Sequence, residues 1–127
     1  MSNGYGVLAD LLEEWRAAFD GRRVDDVLAL FAEDALFQGL SPRLLNGRAE
    51  IRAYYENVPP GTTTAAVEVL HSRPLAAEAL AGFATVTFRT PAPGDPAGTP
   101  LPVRLSLIAQ HTGDGWRIRQ YHVSRLS

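Results

Sequence analysis

Apolar residues in the first part of the chain recur at the spacing of one helix face. The first stripe runs at i, i+3, i+4, i+7 and i+11, and it consists of Leu8, Leu11, Leu12, Trp15 and Phe19. Gly21 follows the last of them and predicts the end of that helix. A second stripe, from Val24 to Phe31, predicts a shorter helix that reaches about Ala32.

A short strand and a third helix are predicted next. The apolar run Ala35–Gln38 is typical of a strand, and Gly39 closes it. Asn46 is the predicted N-cap of the third helix, because its side chain can accept from the free amides of the first turn. The inner stripe of that helix is Ile51, Tyr54, Tyr55 and Val58. Pro59-Pro60-Gly61 should terminate it.

From Thr62 onward the apolar period changes to two residues, which predicts strands. Two of them cover 65–73 and 79–90, and two more form a hairpin from Val103 to Ser124 around a Gly-Asp-Gly turn. The Pro-rich stretch 91–102 cannot supply regular strand amides and is predicted to be a long loop. Three helices followed by four antiparallel strands predict an α+β fold in one domain, 1–127, with the helices packed on one face of the sheet.

The alternation along the final hairpin predicts a pocket. One face of the last strand carries Trp116, Ile118, Gln120, His122 and Ser124. The turn can centre on Gly113-Asp114 or on Asp114-Gly115, and the pairing of the two strands then differs by two residues, which leaves these faces unchanged. The set therefore shares a face with Leu107 and its apolar neighbours. Because this face begins apolar and ends polar, it predicts a core that grades into a polar site.

Composition narrows the function classes. Of the 127 residues none is cysteine, so disulfides and thiolate chemistry are excluded. A net charge of -2 offers no electrostatic case for nucleic acid or anionic membrane. No apolar run approaches a membrane span, and the N-terminus lacks the features of a signal peptide, so we expect a cytoplasmic protein.

Several segments, in order, resemble one superfamily. The helix with Trp15, the following stretch 20–35, and the segment 45–55 resemble the NTF2-like superfamily and its SnoaL-like members. The ending, 114–118 followed by 122–124, is similar to the SgcJ/EcaC-type group and to the association domain of calmodulin-dependent kinase II. The resemblance implies an NTF2-like (cystatin-like) cone: three N-terminal helices on a curved antiparallel sheet, a central pocket and usually a homodimer.

Two catalytic mechanisms of that superfamily are not expected here. A ketosteroid isomerase would need a carboxylate base after the first strand, but this strand ends in Gln38, which cannot take up a proton. An Asp-Arg-Asp network of the epoxide-hydrolase kind has no counterpart, because the last two strands carry no acidic residue apart from Asp114 in the turn. Fold alone therefore does not define the function.

His122 and Ser124 are the predicted catalytic candidates, with Gln120 beside them. An imidazole titrates near neutrality, so His122 could transfer a proton or orient a ligand. The alternative is a structural histidine that closes the cone through a hydrogen bond. Ser124 as a nucleophile would also need an oxyanion site and an orienting acid, and neither is visible.

The predicted pocket wall is otherwise aromatic and apolar. Its candidate residues are Trp15, Phe37, Gln38, Tyr54, Tyr55, His71 and Leu107. His71 has an exposed edge position as its alternative, and burial of the aromatic rings alone would explain Tyr54 and Tyr55. The three histidines make no metal-ligand spacing, so neither a metal nor a cofactor is expected.

The opposite face of the hairpin is the predicted interface. It mixes aliphatic, aromatic and arginine side chains, namely Ile108, Arg119, Tyr121 and Val123. Because the helices cover only one side of the sheet, this face should meet a partner, and we expect a twofold homodimer.

Two functions remain open from the sequence. One is a small-molecule binding protein or cofactor-independent enzyme of bacterial secondary metabolism, acting on an apolar polyketide, polyene or enediyne-like ligand with His122 as acid/base or orienting group. The other is a non-catalytic dimerisation or binding module whose polar cluster only stabilises the cone.

Overall fold

The computed structural model describes residues 4–57 and 63–126, in which three helices pack on a six-stranded sheet. The helices are α1 (Gly4–Asp20), α2 (Val24–Ala29) and α3 (Arg48–Glu56). The strands are β1 (Phe31–Gln38), β2 (Leu45–Asn46), β3 (Thr64–Ala76), β4 (Ala79–Ala92), β5 (Asp95–Thr112) and β6 (Gly115–Arg125). The sheet order is β2-β1-β6-β5-β4-β3, antiparallel except where β1 runs parallel to β6. The predicted α+β class is confirmed, with one strand, β2, more than predicted.

The core lies between the buried stripe of α1 and the inner face of the sheet. All five residues of the predicted stripe, Leu8 to Phe19, are buried. They share one core cluster with alternate residues of β5, of which Val103, Leu105 and Ala109 have no exposed surface. Burying this much apolar area is the main stabilising term of the domain.

A β-bulge in β6 overturns the predicted faces of the last strand. Ala109 pairs with Ile118, but the preceding residue of β5, Ile108, pairs with Gln120, so Arg119 is an extra residue in β6. An extra residue shifts the two-residue alternation by one, so the side chains beyond it change faces. Tyr121 and Val123 are therefore buried. The prediction that Gln120, His122 and Ser124 share the inner face with Leu107 is wrong, because all three are exposed.

The prediction of a long Pro-rich loop at 91–102 is also wrong, because β4 and β5 continue through this stretch as a hairpin. Its turn follows Ala92, which pairs with Asp95. The carbonyl of Pro102 accepts from the Leu126 backbone N–H, so the backbone groups of Pro102 face away from β4. Pro100, two residues earlier, faces the same way, beyond the last ladder pair between β5 and β6. Neither proline therefore removes a hydrogen bond between β4 and β5.

The end of α2 and the start of α3 differ from the prediction. The second helix ends at Ala29 and not at Ala32, because the Leu30 carbonyl accepts from the Ile118 amide at 2.8 Å and the chain continues as β1. Asn46 is not the N-cap of α3: it lies in β2, and its amide donates to the Glu50 carboxylate at 2.9 Å. Gly47 is the N-cap residue, at φ +89°. The predicted terminator 59–61 lies outside the described residues.

Alanine substitutions at two neighbouring residues test the bulge. Tyr121→Ala removes a buried ring and should lower the free energy of unfolding by about 3–5 kcal/mol. His122→Ala removes an exposed side chain and should change it by less than about 0.5 kcal/mol. Urea unfolding followed by circular dichroism measures both values. A larger loss for His122→Ala than for Tyr121→Ala would contradict the bulge.

Candidate functional site

A cavity of about 470 Å³ opens between α1, α3 and the inner face of the sheet. Its apolar wall is mostly aromatic and includes Trp15, Phe19, Tyr54, Tyr55, Phe88 and Tyr121. Its polar and charged residues are Ser41, Arg43, Glu50, Asn57, Thr63 and Thr90. The volume lies within the range of small-molecule sites.

Each aromatic side chain is positioned by its own element. Trp15 and Phe19 are one turn apart on α1, and their rings stack with centroids 5.2 Å apart. Phe88 of β4 contacts both of these rings, at 6.2 Å and 5.5 Å. Tyr121 of β6 turns inward only because of the bulge, and its ring stacks on Phe37 at 4.4 Å. Aromatic packing therefore joins helix α1 to the strands on both sides of β5.

A hydrogen bond fixes the tyrosine at the centre of this wall. The Trp15 indole N–H donates to the Tyr55 hydroxyl oxygen at 3.0 Å. Trp15 and Tyr55 thus form a hydrogen-bonded polar pair inside an otherwise apolar wall.

Tyr54 lies beside Trp15 and Tyr55 and has a separate hydrogen-bond partner. The Leu40 backbone N–H donates to its hydroxyl oxygen at 3.1 Å. Its ring lies so close to Gly39 that any Cβ there would overlap the ring and its hydroxyl. Tyr54 is half-buried, whereas Tyr55 is 6% exposed. The two hydroxyls therefore differ in their access to water.

Burial keeps the cavity tyrosines protonated. Desolvation raises the pKa of Tyr54, and the Leu40 hydrogen bond only partly opposes it. Desolvation raises the pKa of Tyr55 far above its usual range, against the hydrogen bond from Trp15. The pKa of Tyr121 rises for the same reason, and the nearby Tyr55 and Tyr54 raise it further. All three are neutral hydroxyls at physiological pH and cannot act as bases.

No imidazole of the described residues lines the cavity, and Glu50 is the one carboxylate side chain among its lining residues. The two ionisable side chains besides the tyrosines, Arg43 and Glu50, are exposed. Asp20 at the end of α1 is engaged elsewhere, because it accepts from the Ala65 amide at 2.9 Å and pairs with Arg16 at 3.0 Å. Apart from Arg43 and Glu50, the wall offers a ligand apolar surface and neutral hydrogen-bonding groups.

The predicted pocket residues separate into three groups. Trp15, Tyr54 and Tyr55 line the cavity as predicted. Phe37 is buried behind Tyr121 and does not reach the wall, and Gln38 pairs with His122 at the end of β1. His71, Leu107 and Gln120 do not line the cavity, so those predictions are wrong. They border a separate depression of about 280 Å³ on the sheet.

His122 and Ser124 lie outside the cavity, which contradicts their predicted position. His122 belongs to a cross-strand row on the outer face, made of His71, Phe83, Ser106, His122 and Gln38. A catalytic role for His122 or Ser124 stays a prediction and would have to be exercised on that outer face. Among the described residues, no His, Asp and Glu side chains cluster as metal ligands would.

Sequence reasoning missed Tyr121 as a cavity residue and assigned it, with Val123, to the interface. Both are buried inward, so that part of the interface prediction is wrong. The available signal was the three-residue gap between Ile118 and Tyr121, because a strand without a bulge places same-face residues two apart. Arg119 does face outward, where it donates to Gln110 at 2.6 Å and pairs with Asp34 at 3.2 Å.

Solved structures with the same fold define the class of protein. A ketosteroid isomerase-like protein from Erwinia carotovora atroseptica matches with a TM-score of 0.80 at 17% identity, over 100% of this chain and 99% of that one. A cystatin-like domain of unknown function from Nostoc punctiforme matches at 0.83 and 17% identity, over 100% and 80%. A protein called a dehydratase of the NTF2-like family, from Streptomyces avermitilis, matches at 0.78 and 16%, over 94% of each chain. These likenesses show the NTF2-like, cystatin-like cone and no more than the fold.

The family follows from the sequence comparison. The model of the SnoaL-like domain matches residues 8–126, so the chain belongs to the SnoaL-like domain family. Members of this family include ligand-binding proteins and enzymes of the isomerase and dehydratase kind, and they often dimerise. A comparison with curated proteins finds no match. Over the described residues, no helix has both the length and the apolar character that a membrane span requires.

The raised tyrosine pKa values predict a loss of stability at high pH. Because the folded-state pKa values lie above the usual 10.0, the folded state keeps protons that the unfolded state releases. The stabilisation is complete below pH 10 and falls above it by about 1.4 kcal/mol per pH unit for each buried tyrosine. Urea unfolding between pH 8 and pH 11 measures the slope. Tyr121→Phe should reduce this slope, and an unchanged slope would contradict the burial of Tyr121.

Proposed function

We propose that this chain binds a small, largely apolar molecule in the cavity between α1, α3 and the sheet. The observation that carries the proposal is the composition of the wall. It contains six aromatic side chains, and three of these are tyrosines whose hydroxyl groups stay neutral. Aromatic rings provide a large apolar contact area, and a few fixed polar groups provide orientation. The cavity volume of about 470 Å³ suits a ligand of one to three fused rings or a comparable chain.

Binding is better supported than acid–base catalysis. Proton abstraction needs a group whose pKa lies near the working pH. The tyrosine pKa values move away from that range, and the three histidines lie on exposed positions away from the cavity wall. The Glu50 carboxylate lines the cavity, but it is exposed and accepts from the Asn46 backbone N–H at 2.9 Å. The Erwinia and Streptomyces neighbours carry enzyme names, but their identity to this chain is too low to transfer a reaction.

The finer expectations from the sequence belong to this proposal. A polyketide, polyene or enediyne-like ligand, an SgcJ/EcaC-type role in secondary metabolism, and a cytoplasmic location stay predictions. The aromatic wall is compatible with a conjugated ligand of that kind. Native mass spectrometry of protein purified from its own cells, compared before and after denaturation, would identify a retained small molecule.

Filling the cavity tests the proposal. Ala53 of α3 lines the cavity, and Ala53→Trp should weaken binding of the apolar dye N-phenylnaphthylamine at least tenfold, because the indole would take the ligand's space. Ala49, one turn earlier on the same helix, borders a different surface depression, so Ala49→Trp is the matched control. Dye fluorescence titration measures both. Equal binding by wild type and both variants would place the dye outside the cavity and contradict the proposal.

A homodimer through the outer face of the sheet is the second candidate, and it is compatible with the first. Phe83 is 50% exposed and Leu36 51% exposed on this face, with Ile108 half-buried between them. Glu68 and Arg104 flank β4 in one cross-strand row through Thr85, and no described residue is a hydrogen-bond partner of the Arg104 Nε. A twofold axis along β4 would bring Glu68 of one copy opposite Arg104 of the other. We therefore propose a second copy of this chain as the partner.

Charge and apolar substitutions on the outer face test the homodimer. Phe83→Glu should convert the dimer to monomer, because it introduces a charge at the centre of the interface. Leu44→Glu, at a leucine that is 73% exposed away from the proposed interface, is the control and should leave the dimer intact. Glu68→Arg and Arg104→Glu should each weaken it, and the double exchange should restore it. Light scattering after size exclusion gives the mass. A wild-type monomer at micromolar concentration would contradict the proposal.

A further inference from the structure

Two threonine side chains form a hydrogen-bonded pair on the cavity wall, the threonine pair. Thr63 Oγ1 and Thr90 Oγ1 lie 2.8 Å apart, and either hydroxyl can donate this hydrogen bond. Both residues line the cavity. Thr63 is 8% exposed, whereas Thr90 is open to solvent. The pair is thus a polar group of the wall that is buried on one side and accessible on the other.

The sheet and the end of α1 hold this pair in place. Thr64 pairs with Arg89 at the start of β3, so Thr63 stands across from Thr90 in the same antiparallel register. The Thr63 carbonyl accepts from Arg22 Nη2 at 2.7 Å, and Arg22 follows the last turn of α1. Because both backbones are held, a ligand that binds the two hydroxyls has little conformational freedom to remove.

The pair keeps one hydroxyl proton whichever way its hydrogen bond runs. Each threonine hydroxyl has one proton and two lone pairs. The bond between Thr63 and Thr90 uses one proton and one lone pair, so one proton and three lone pairs remain. Neither hydroxyl has another hydrogen-bond partner within residues 4–57 and 63–126. The pair can therefore donate one hydrogen bond to a ligand and accept another from it.

Aromatic surface adjoins the threonine pair. Phe88 precedes Thr90 by two residues in β4, so the two side chains lie on the same face of the sheet. The rings of Phe88 and Phe19 are 5.5 Å apart between centroids, and both line the cavity. A ligand ring that packs on these two phenylalanines can present a polar substituent to the pair.

A ligand hydroxyl matches the pair better than an acceptor alone. An ether or ketone oxygen can use only the remaining proton of the pair. A hydroxyl can also donate to the other threonine, which closes a ring of three hydrogen bonds that polarise one another. A carboxylate has no proton to donate and would lose hydration beside Phe19 and Phe88.

We propose that Thr63 and Thr90 form a subsite for the hydroxyl group of an alcohol or phenol, which donates to one threonine and accepts from the other. This inference rests on the proposed binding function and names the ligand class. A threonine pair that only joined β3 to β4 would stabilise the end of the sheet without distinguishing one ligand from another.

Three naphthalene probes, substituted at the same ring position, test the proposal. Naphthol donates and accepts, methoxynaphthalene only accepts, and methylnaphthalene does neither. Calorimetry with the full chain measures the three Kd values at neutral pH, where a phenol keeps its proton. Thr63→Val and Thr90→Val remove one hydroxyl each and nearly keep the shape. Thr64→Val, at an exposed threonine that does not line the cavity, is the matched control.

Wild type should bind naphthol about tenfold more tightly than methylnaphthalene, with methoxynaphthalene between them. Thr63→Val and Thr90→Val should each raise the Kd of naphthol about fivefold and leave that of methylnaphthalene within about twofold. Thr64→Val should change neither value. Thr90→Ser and Thr63→Ser, which keep the hydroxyl, should keep the preference for naphthol. If Thr63→Val does not fold, Thr90→Val, at the exposed member of the pair, carries the test.

Three results would overturn the hydroxyl subsite while leaving the binding function intact. They are equal affinity of wild type for naphthol and methoxynaphthalene, an unchanged naphthol Kd in Thr90→Val or in folded Thr63→Val, and equal losses of naphthol and methylnaphthalene affinity in these variants. Failure of all three probes to bind wild type would overturn the binding function itself, and the hydroxyl subsite with it.

Discussion

The extra residue in β6 decides what each face of this protein offers. Without Arg119 as a bulge, strict alternation would point His122 and Ser124 into the cone and Tyr121 and Val123 away from it. With the bulge, a buried tyrosine stacks on Phe37, and an exposed imidazole joins the outer face. The core supplies the reason: an inward ring and an inward valine bury far more apolar area than a histidine and a serine could.

The same bulge completes the aromatic cluster on which the cavity depends. Tyr121 stacks on Phe37 in β1, which also packs against Tyr55 in α3, and Tyr55 is held in turn by the indole of Trp15 in α1. Helices α1 and α3 and strands β1 and β6 thus meet through these aromatic side chains. A buried polar pair of this kind is favourable in an apolar interior only when its groups have hydrogen-bond partners.

The fold of this chain does not by itself define the chemistry of its cavity. The NTF2-like cone is shared with proteins that carry isomerase-like and dehydratase names. The cavity wall of this chain is mostly aromatic, and burial holds its tyrosine hydroxyls neutral. The cone provides a cavity of suitable size, and the side chains that line it decide between binding and reaction.

The sequence by itself determined the helices, the α+β class and much of the aromatic wall, because local periodicity records which side of an element is buried. The stripe from Leu8 to Phe19, with Tyr54 and Tyr55, could be assigned this way. Tertiary structure decided the pairing of β1 with β6, the continuation of the Pro-rich stretch as a hairpin, and the inward turn of Tyr121. These features depend on which backbone groups of distant strands pair with each other. Alternation along one strand cannot reveal a bulge, because the bulge is defined by the register of its neighbour.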